Sequence, residues 1–266
     1  MSRALVSLAA TPLRAVAFGD TPGHRPLPPA HDPQQRWLRA VAAGGQGHYA
    51  AARAELALVR RETRTGPLAA LAHSTEGSLL RQLGWHRLAR GWDGRALLLA
   101  GDDPVARLDA LVGLAADALG LGRFAAAARL LVVARAQRGP ENRSAIRIEW
   151  VSAELAMARG EPETALTHAH SAVALAADAG SVRHRIKSDV VLAAALCSGG
   201  RVPEARAVAD DLLVRTEQHG LVPLRWAVAS LLDGIGSEAF SGAQIRLIRE
   251  SAAHTVSHRG GRWCPH

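Results

Sequence analysis

Residues 120–125, Gly-Leu-Gly-Arg-Phe-Ala, carry the G-x-G-x-x-A spacing of a dinucleotide-binding turn. In such a turn the glycines let backbone amides approach a pyrophosphate at the start of a helix. That chemistry needs a strand before the glycines, a βαβ unit around them and an acidic residue about 20 positions on. Here the preceding stretch, ARLDALVGLAADALG, places apolar residues at helical spacing and has no strand character. A dinucleotide is therefore not expected at Gly120 and Gly122, and no other cofactor is predicted.

A second group of chemically capable residues closes the chain. His254 and His258 are four apart, so a helix would set both imidazoles on one face, and Cys264 and His266 follow in RWCPH. Nitrogen and sulfur donors of this kind suit zinc. The segment SHRGGRWCPH is glycine-rich and terminal, where order is least expected, so no metal site is predicted. His168 and His170 are two apart and would point to different sides of a helix. The chain has no G-x-S-x-G, no P-loop, no H-E-x-x-H and no S-x-x-K, and no acid/base pair stands out among its scattered carboxylates. A catalytic step is not expected.

What the chain must build is clearer than what it must catalyse. Alanine makes up about a fifth of the 266 residues, while Phe, Trp and Tyr together reach 4%. Alanine favours helix and permits close helix approach, and the β-branched and aromatic runs that mark strands are missing. The composition, 48% hydrophobic and 21% charged, is that of a folded chain, and it predicts an all-α protein. The net charge of +8 and pI of about 11.1 favour an anionic partner. Yet Lys187 is the only lysine and the arginines are interleaved with carboxylates rather than gathered in a block, so nucleic acid is not the expected partner.

Cys197 and Cys264 are too few for a disulfide framework, which fits a reducing cytoplasm. No apolar run reaches membrane-spanning length. Ala15-Val16-Ala17 resembles a signal-peptidase site, but Pro12 and Arg14 interrupt the apolar stretch a signal peptide needs. A cytoplasmic location is expected.

The glycines acquire a meaning once internal periodicity is sought. Gly47, Gly84, Gly122, Gly160 and Gly200 follow one another at intervals of 37, 38, 38 and 40 residues. Five residues after each stand Ala52, Ala89, Ala127, Ala165 and Ala205. In a chain one-fifth alanine, five such coincidences have a chance of about 3 in 10,000. Seven residues before each glycine come Ala40, Gly77, Ala115, Ala153 and Ala193, again all small. The two columns predict one recurring contact, a pair of antiparallel helices crossing closely around a glycine corner. A second glycine closes each unit at Gly66, Gly101, Gly139, Gly180 and Gly220. Proline opens helices at Pro33, Pro67, Pro104, Pro140 and Pro223, with Asp32 and Asp103 as N-caps.

These units resemble the tetratricopeptide-repeat (TPR) family, which pairs a small residue in a first helix with G-x-Y-x-x-A opening the second. Gly47, Tyr49 and Ala52 match that pattern, as do Gly122, Phe124 and Ala127; Pro162 and Val202 replace the aromatic, and the period is nearer 38 than the family's value of about 34. The resemblance implies an α-solenoid of about five units over residues 33–256 with a degenerate polar cap at its C-terminal end. It further implies a non-catalytic interaction scaffold, or, as in the Ala-rich sensor regions of bacterial signal-transduction regulators, a regulatory module that binds a peptide or small molecule.

In TPR arrays the residues 13, 10 and 6 positions before each corner glycine line an inner groove. The resemblance therefore implies a partner site of Trp37, Ser74, Ser78, Asp109, Arg147, Trp150, Glu154 and Lys187, accompanied by Gln34, Val41, Leu71, Val112, Ala116, Val190 and Ala194. Trp37 and Trp150 are the apolar anchors expected of such a site, and Arg147 and Lys187 its charge selectors. Of the family's two-carboxylate clamp only the charges of Arg147 and Lys187 are reproduced. Outside the array, residues 1–32 are expected to form a short apolar helix over 4–18 and then a proline-rich extended linker. Residues 257–266 are expected to be a loose tail.

Overall fold

The computed structural model describes residues 11–137 and 142–265; Gly139, Pro140, His266 and the start of the predicted N-terminal helix lie outside them. The described residues form thirteen α-helices and no strand. Helix α1 (Pro12–Phe18) precedes the array. Helices α2 (Pro33–Gly45) and α3 (Tyr49–Glu62) make the first hairpin, α4 (Pro67–Arg81) and α5 (His86–Leu99) the second, α6 (Pro104–Gly120) and α7 (Phe124–Ala136) the third. The fourth is α8 (Asn142–Ala158) with α9 (Pro162–Ala177), then α10 (Val182–Ser198) with α11 (Val202–Gln218), and α12 (Val222–Ile235) with α13 (Gly242–His258).

Each helix packs on the next in sequence, and the first helices of successive hairpins also pack on one another, from α2 through α4, α6, α8 and α10 to α12. The chain is an all-α, solenoid-like stack with the first helices as its inner layer.

Both small-residue columns are buried. Ala52, Ala89, Ala127, Ala165 and Ala205 are 0% exposed, as are Ala40, Ala115, Ala153 and Ala193. Gly77 stands in the same column because Asp93 of α5 presses against it: a Cβ at residue 77 would lie 2.7 Å from the Asp93 carboxylate. The sixth hairpin continues the pattern with Ala229, fully buried seven residues before Gly236. Pro33 and Pro104 occupy the first helical turn behind Asp32 and Asp103, whose carboxylates accept the amide hydrogens of Gln35 and Ala106 at 2.7 and 2.8 Å.

At the third corner Gly122 has φ +70°, where an L side chain is strained, and nothing lies within 4 Å of the Cβ it lacks. Its conformation alone demands glycine. Around it Arg123 N–H reaches back to the carbonyl of Ala118 at 2.8 Å, the helix-ending bond of a Schellman turn. Gly120 serves a different purpose: a Cβ there would sit 2.3 Å from the His86 ring. The two glycines thus end helix α6 and make room for an imidazole, and a helix stands where a dinucleotide fingerprint requires a strand.

The two ends of the stack meet. Helix α13 keeps most of its polar side chains exposed, as expected of a cap, and buries Ile245, Ala252 and Val256. Through Val256 it also forms a seam with the first hairpin, whose end offers it an apolar surface to cover. Val256 of α13 and, half-buried, Val222 of α12 join the cluster of Leu13, Leu38, Tyr49 and Leu79. Residues expected to be a loose tail are held against the first two hairpins, where the stack's own helix ends leave backbone groups unsatisfied. Ala50 N–H donates to the carbonyl of Arg259 at 3.0 Å, Cys264 N–H to Leu83 at 2.8 Å, and Trp85 Nε1–H to Arg262 at 2.6 Å. Trp263 packs on Trp226 with centroids 4.5 Å apart and the rings tilted by 37°.

The proline-rich linker crosses the same seam. Gln46 donates through Nε2 to the carbonyls of Pro22 and His24, and Gly23 lies against His219. Val182 N–H donates to the carbonyl of Gly19 at 3.0 Å. Six hairpins and two terminal segments close a ring. Truncation after His258 removes these tail contacts and is expected to lower the melting temperature by about 5 °C or more, since hydrogen bonds contribute about 1 kcal/mol each and 1 kcal/mol is about 2–4 °C at this size. A circular-dichroism melt checks it.

Candidate binding cavity inside the ring

The first helices turn one face inward, and that face lines a cavity of about 450 Å³ that is open to solvent on one side. Ligand pockets fall in this range of about 300–1,000 Å³. All eight residues implied by the resemblance line it. Trp37 comes from α2, Ser74 and Ser78 from α4, and Asp109 from α6; Arg147, Trp150 and Glu154 come from α8, and Lys187 from α10. Val41, Val112 and Ala116 line it too. Gln34, Leu71, Val190 and Ala194 do not; Val190 is buried in the core that α10 shares with α12.

The two tryptophans are tied to the neighbouring first helix in the same way. Trp37 donates Nε1–H to Thr75 Oγ1, and Trp150 to Ser188 Oγ, each at 2.9 Å and each across 38 residues. One edge of each indole thus fixes the spacing of two helices while the ring remains part of the cavity wall. Trp226 of α12 stands ten residues before Gly236, as Trp37 and Trp150 stand ten before their corners, and lines the same cavity.

Phe18 enters from outside the repeat. Its ring lies 5.6 Å from Trp37 and 6.2 Å from His184, and His184 stacks on Trp150 at 5.4 Å and 18°. A continuous aromatic wall therefore runs from α2 through α1 and α10 to α8. Reading the repeats alone misses Phe18, and it misses Arg143, Arg183 and His184 for a different reason. Those three stand 16 or 17 residues before their corner glycines, one turn ahead of the nearest implied position. The 38-residue unit lengthens α8 and α10 to 17 residues, and the added turn projects inward. The longer period was the available signal.

The wall is strongly charged. Arg143 Nη2 reaches Asp109 at 2.7 Å and Arg147 shares the same carboxylate. Burial would raise Asp109, but the two guanidiniums outweigh it and hold the carboxyl below its usual range. Lys187 pairs with Glu154 at 3.2 Å and lies 5.9 Å from the Trp150 ring. Arg81 is met from behind by Asp93 at 2.8 Å and Asp117 at 2.6 Å, both 0% exposed. Burial raises both carboxyls, and for Asp117, pushed up to about 7, the neighbouring Asp93 adds to it.

Burial likewise drives the histidines down: His184 well below its ordinary value with Arg183 and Arg143 adding to the effect, His86 with Arg81, His73 with Arg60, and His48 to about 4 with Arg259.

These shifts set the response to acid. A histidine whose pKa is lower in the folded chain than in the unfolded one costs stability as pH falls below about 6.5, because the unfolded chain then binds the extra proton. Asp117, raised to about 7, acts in the opposite sense between about pH 4 and 7, and Asp93 and Asp189, also raised by burial, join it. The histidine part of the response goes with the imidazole, so the midpoint of His184→Asn is expected to fall less, or rise more, between about pH 7 and pH 5 than that of the parent chain. Calorimetric melts of both chains at the two pH values test this, and an identical change in the two midpoints contradicts it.

The other candidates for chemistry do not converge. The rings of His254 and His258 stack along α13, Cys264 sits at the second corner, and no three potential metal ligands gather among the described residues. Cys197 and Cys264 are free thiols. No helix among the described residues is long and apolar enough to cross a membrane. No family model matches the chain and no curated protein matches it.

Proposed function

We propose that this chain is a non-catalytic, TPR-like binding protein of the cytoplasm whose ligand is a compact molecule or a short chain end held inside the ring. The observation that carries this reading is the convergence of inward-facing side chains from six first helices and α1 on one cavity of about 450 Å³. An open groove would favour a long partner segment laid across the inner helices; the closed ring leaves room for a small one. Of the two roles the resemblance implies, the sensor is thus better supported than the extended scaffold. Its output would pass to a partner that carries the regulatory action.

Docking of a protein on the outer face is a second reading, supported by Leu98 of α5 and Val132 of α7, which stand 85% and 69% exposed. Native mass spectrometry of the full chain, equilibrated with the small-molecule filtrate of a cell extract, separates the two. The cavity reading predicts a discrete low-mass adduct that Trp150→Ala removes without unfolding the chain. Absence of any adduct, with a protein complex that survives Trp150→Ala and is lost in Leu98→Glu/Val132→Glu, would sink it.

A further inference from the structure

The chemistry of the ligand can be read from one side chain, on the premise that the cavity is the binding site. Five cationic side chains line it, Arg81, Arg143, Arg147, Arg183 and Lys187, against the carboxylates Asp109 and Glu154. Arg81 has its two aspartates behind it, Arg143 and Arg147 have Asp109, and Lys187 has Glu154. Arg183 has no carboxylate partner among the described residues. Its one hydrogen bond runs to the backbone oxygen of Ala17 at 3.3 Å, although a guanidinium carries five N–H donors.

The position is an unfavourable one for a cation. Burial, with Arg143 and Arg147 adding to it, pushes the pKa of Arg183 down to about 10. The Phe18 ring, 5.9 Å away, offers only a partial counterpart. A half-buried charge without its counter-ion weakens a fold. Across the helices of the same wall, Ser74 is 4% exposed and its hydroxyl also has no hydrogen-bond partner. Both groups are satisfied by one kind of occupant, an acceptor that brings negative charge.

We infer that the cavity binds a small oxyanion carried on an apolar or aromatic body, a carboxylate or a phosphate ester, with the oxyanion on Arg183 and the body along Phe18, Trp37 and Trp150. The guanidinium fork fits both oxyanions in two-point geometry. The aromatic wall supplies the rest of the contact.

The test uses the full chain with four probes of similar shape: benzoate, phenyl phosphate, benzamidine and benzyl alcohol, with inorganic phosphate as the bare ion. Thermal shift and calorimetric titration read binding. Benzoate or phenyl phosphate is expected to raise the midpoint, and which of the two binds more tightly assigns carboxylate or phosphate; benzamidine and benzyl alcohol are expected to be at least about tenfold weaker.

Arg183→Met is expected to abolish the anion response while raising the ligand-free midpoint by about 2 °C or more, because it removes a half-buried charge that has no carboxylate partner and stands beside Arg143 and Arg147. A residue with a purely structural role would lower that midpoint instead. Arg183→Lys, which keeps the charge but loses the fork, is expected to lose about tenfold in affinity. Equal binding of benzamidine or benzyl alcohol, or unchanged anion binding in Arg183→Met, overturns the inference and leaves the cavity reading intact. No response to either anion, with an uncharged adduct still seen by mass spectrometry, overturns it equally. No response combined with no adduct of any kind overturns both.

Discussion

Replacing Arg81 with methionine is expected to cost about 3–5 kcal/mol of stability, a large share of the roughly 5–15 kcal/mol that holds a domain folded. Asp93 and Asp117 are fully buried, each has one carboxylate oxygen with no other partner, and Arg81 is the cation between them. Arg81 also donates to the carbonyl of Gly113 at 3.1 Å, and a Cβ at residue 113 would lie 2.4 Å from the Asp93 carboxylate. The group therefore ties the second hairpin to the third through a gap that only glycine leaves open. Without Arg81 the negative charge loses its counter-ion in a low-dielectric site.

Two controls separate this from lost packing. The deficit should shrink at about pH 5, where carboxyls with raised pKa values take up protons without a cation nearby. Asp93→Asn in the Arg81→Met background should recover part of the loss, because coupled residues are not additive. A denaturant titration in which Arg81→Met falls by less than about 1 kcal/mol would refute this account of the network.

Tyr49→Ala is expected to cost a similar amount, about 3–5 kcal/mol, whereas Phe124→Ala at the matching position of the third hairpin should cost about half as much. Sequence alone makes the two aromatics equivalent, since each stands two residues after its corner glycine. The ring closure makes them different. Tyr49 is 0% exposed, donates to Gln82 Oε1 at 3.2 Å, and shares a cluster with Leu13 of α1, Leu38 of α2, Leu79 of α4 and Val256 of α13. The tail backbone at Gly261 packs onto its ring. Phe124 is half-buried and touches only the core of its own neighbourhood. Equal losses for the two variants would mean that the seam adds nothing to the burial of Tyr49. Urea titrations of both, on the same preparation, decide between these outcomes.

The contrast marks how far the residues alone could carry the reading. Spacing was enough for the hairpins, because the glycine corner and its two small-residue columns reflect a contact made inside each unit. Ala153 and Ala165 meet whatever the array does at its ends. The cavity-lining residues were legible for the same reason: a position on one face of a helix follows from its distance to the corner.

What could not be read was the meeting of the ends. Val256 and the linker around Gly23 carry no periodic signal, since each packs on a partner more than 190 residues away in the chain. Trp263 packs on Trp226, nearer in sequence, but its segment reads as a polar, glycine-rich tail. Phe18 lies outside every repeat, so nothing in the period could place it against Trp37 and His184. Arg143 and Arg183 lay within reach, one helical turn before the counted positions, and the excess of the period over about 34 residues was the clue to that extra turn.

The ring must be closed for the first helices to surround the site. The second corner allows a direct check. A Cβ placed on Gly84 would lie 3.1 Å from the Cβ of Cys264, a few tenths of an ångström inside the range of about 3.5–4.5 Å that a disulfide spans. Gly84 has φ +87°, so a cysteine there costs about 1–2 kcal/mol of backbone strain. In a Cys197→Ser background the Gly84→Cys chain, shown to be folded by circular dichroism, is expected to cross-link to Cys264 under mild oxidation. The cross-linked chain should run faster than the reduced chain on a denaturing gel and keep the anion response of the uncrosslinked protein. Failure to cross-link in the folded chain, with both thiols free to react with a small alkylating reagent, would show that the ends stand apart and that the first helices do not surround the cavity.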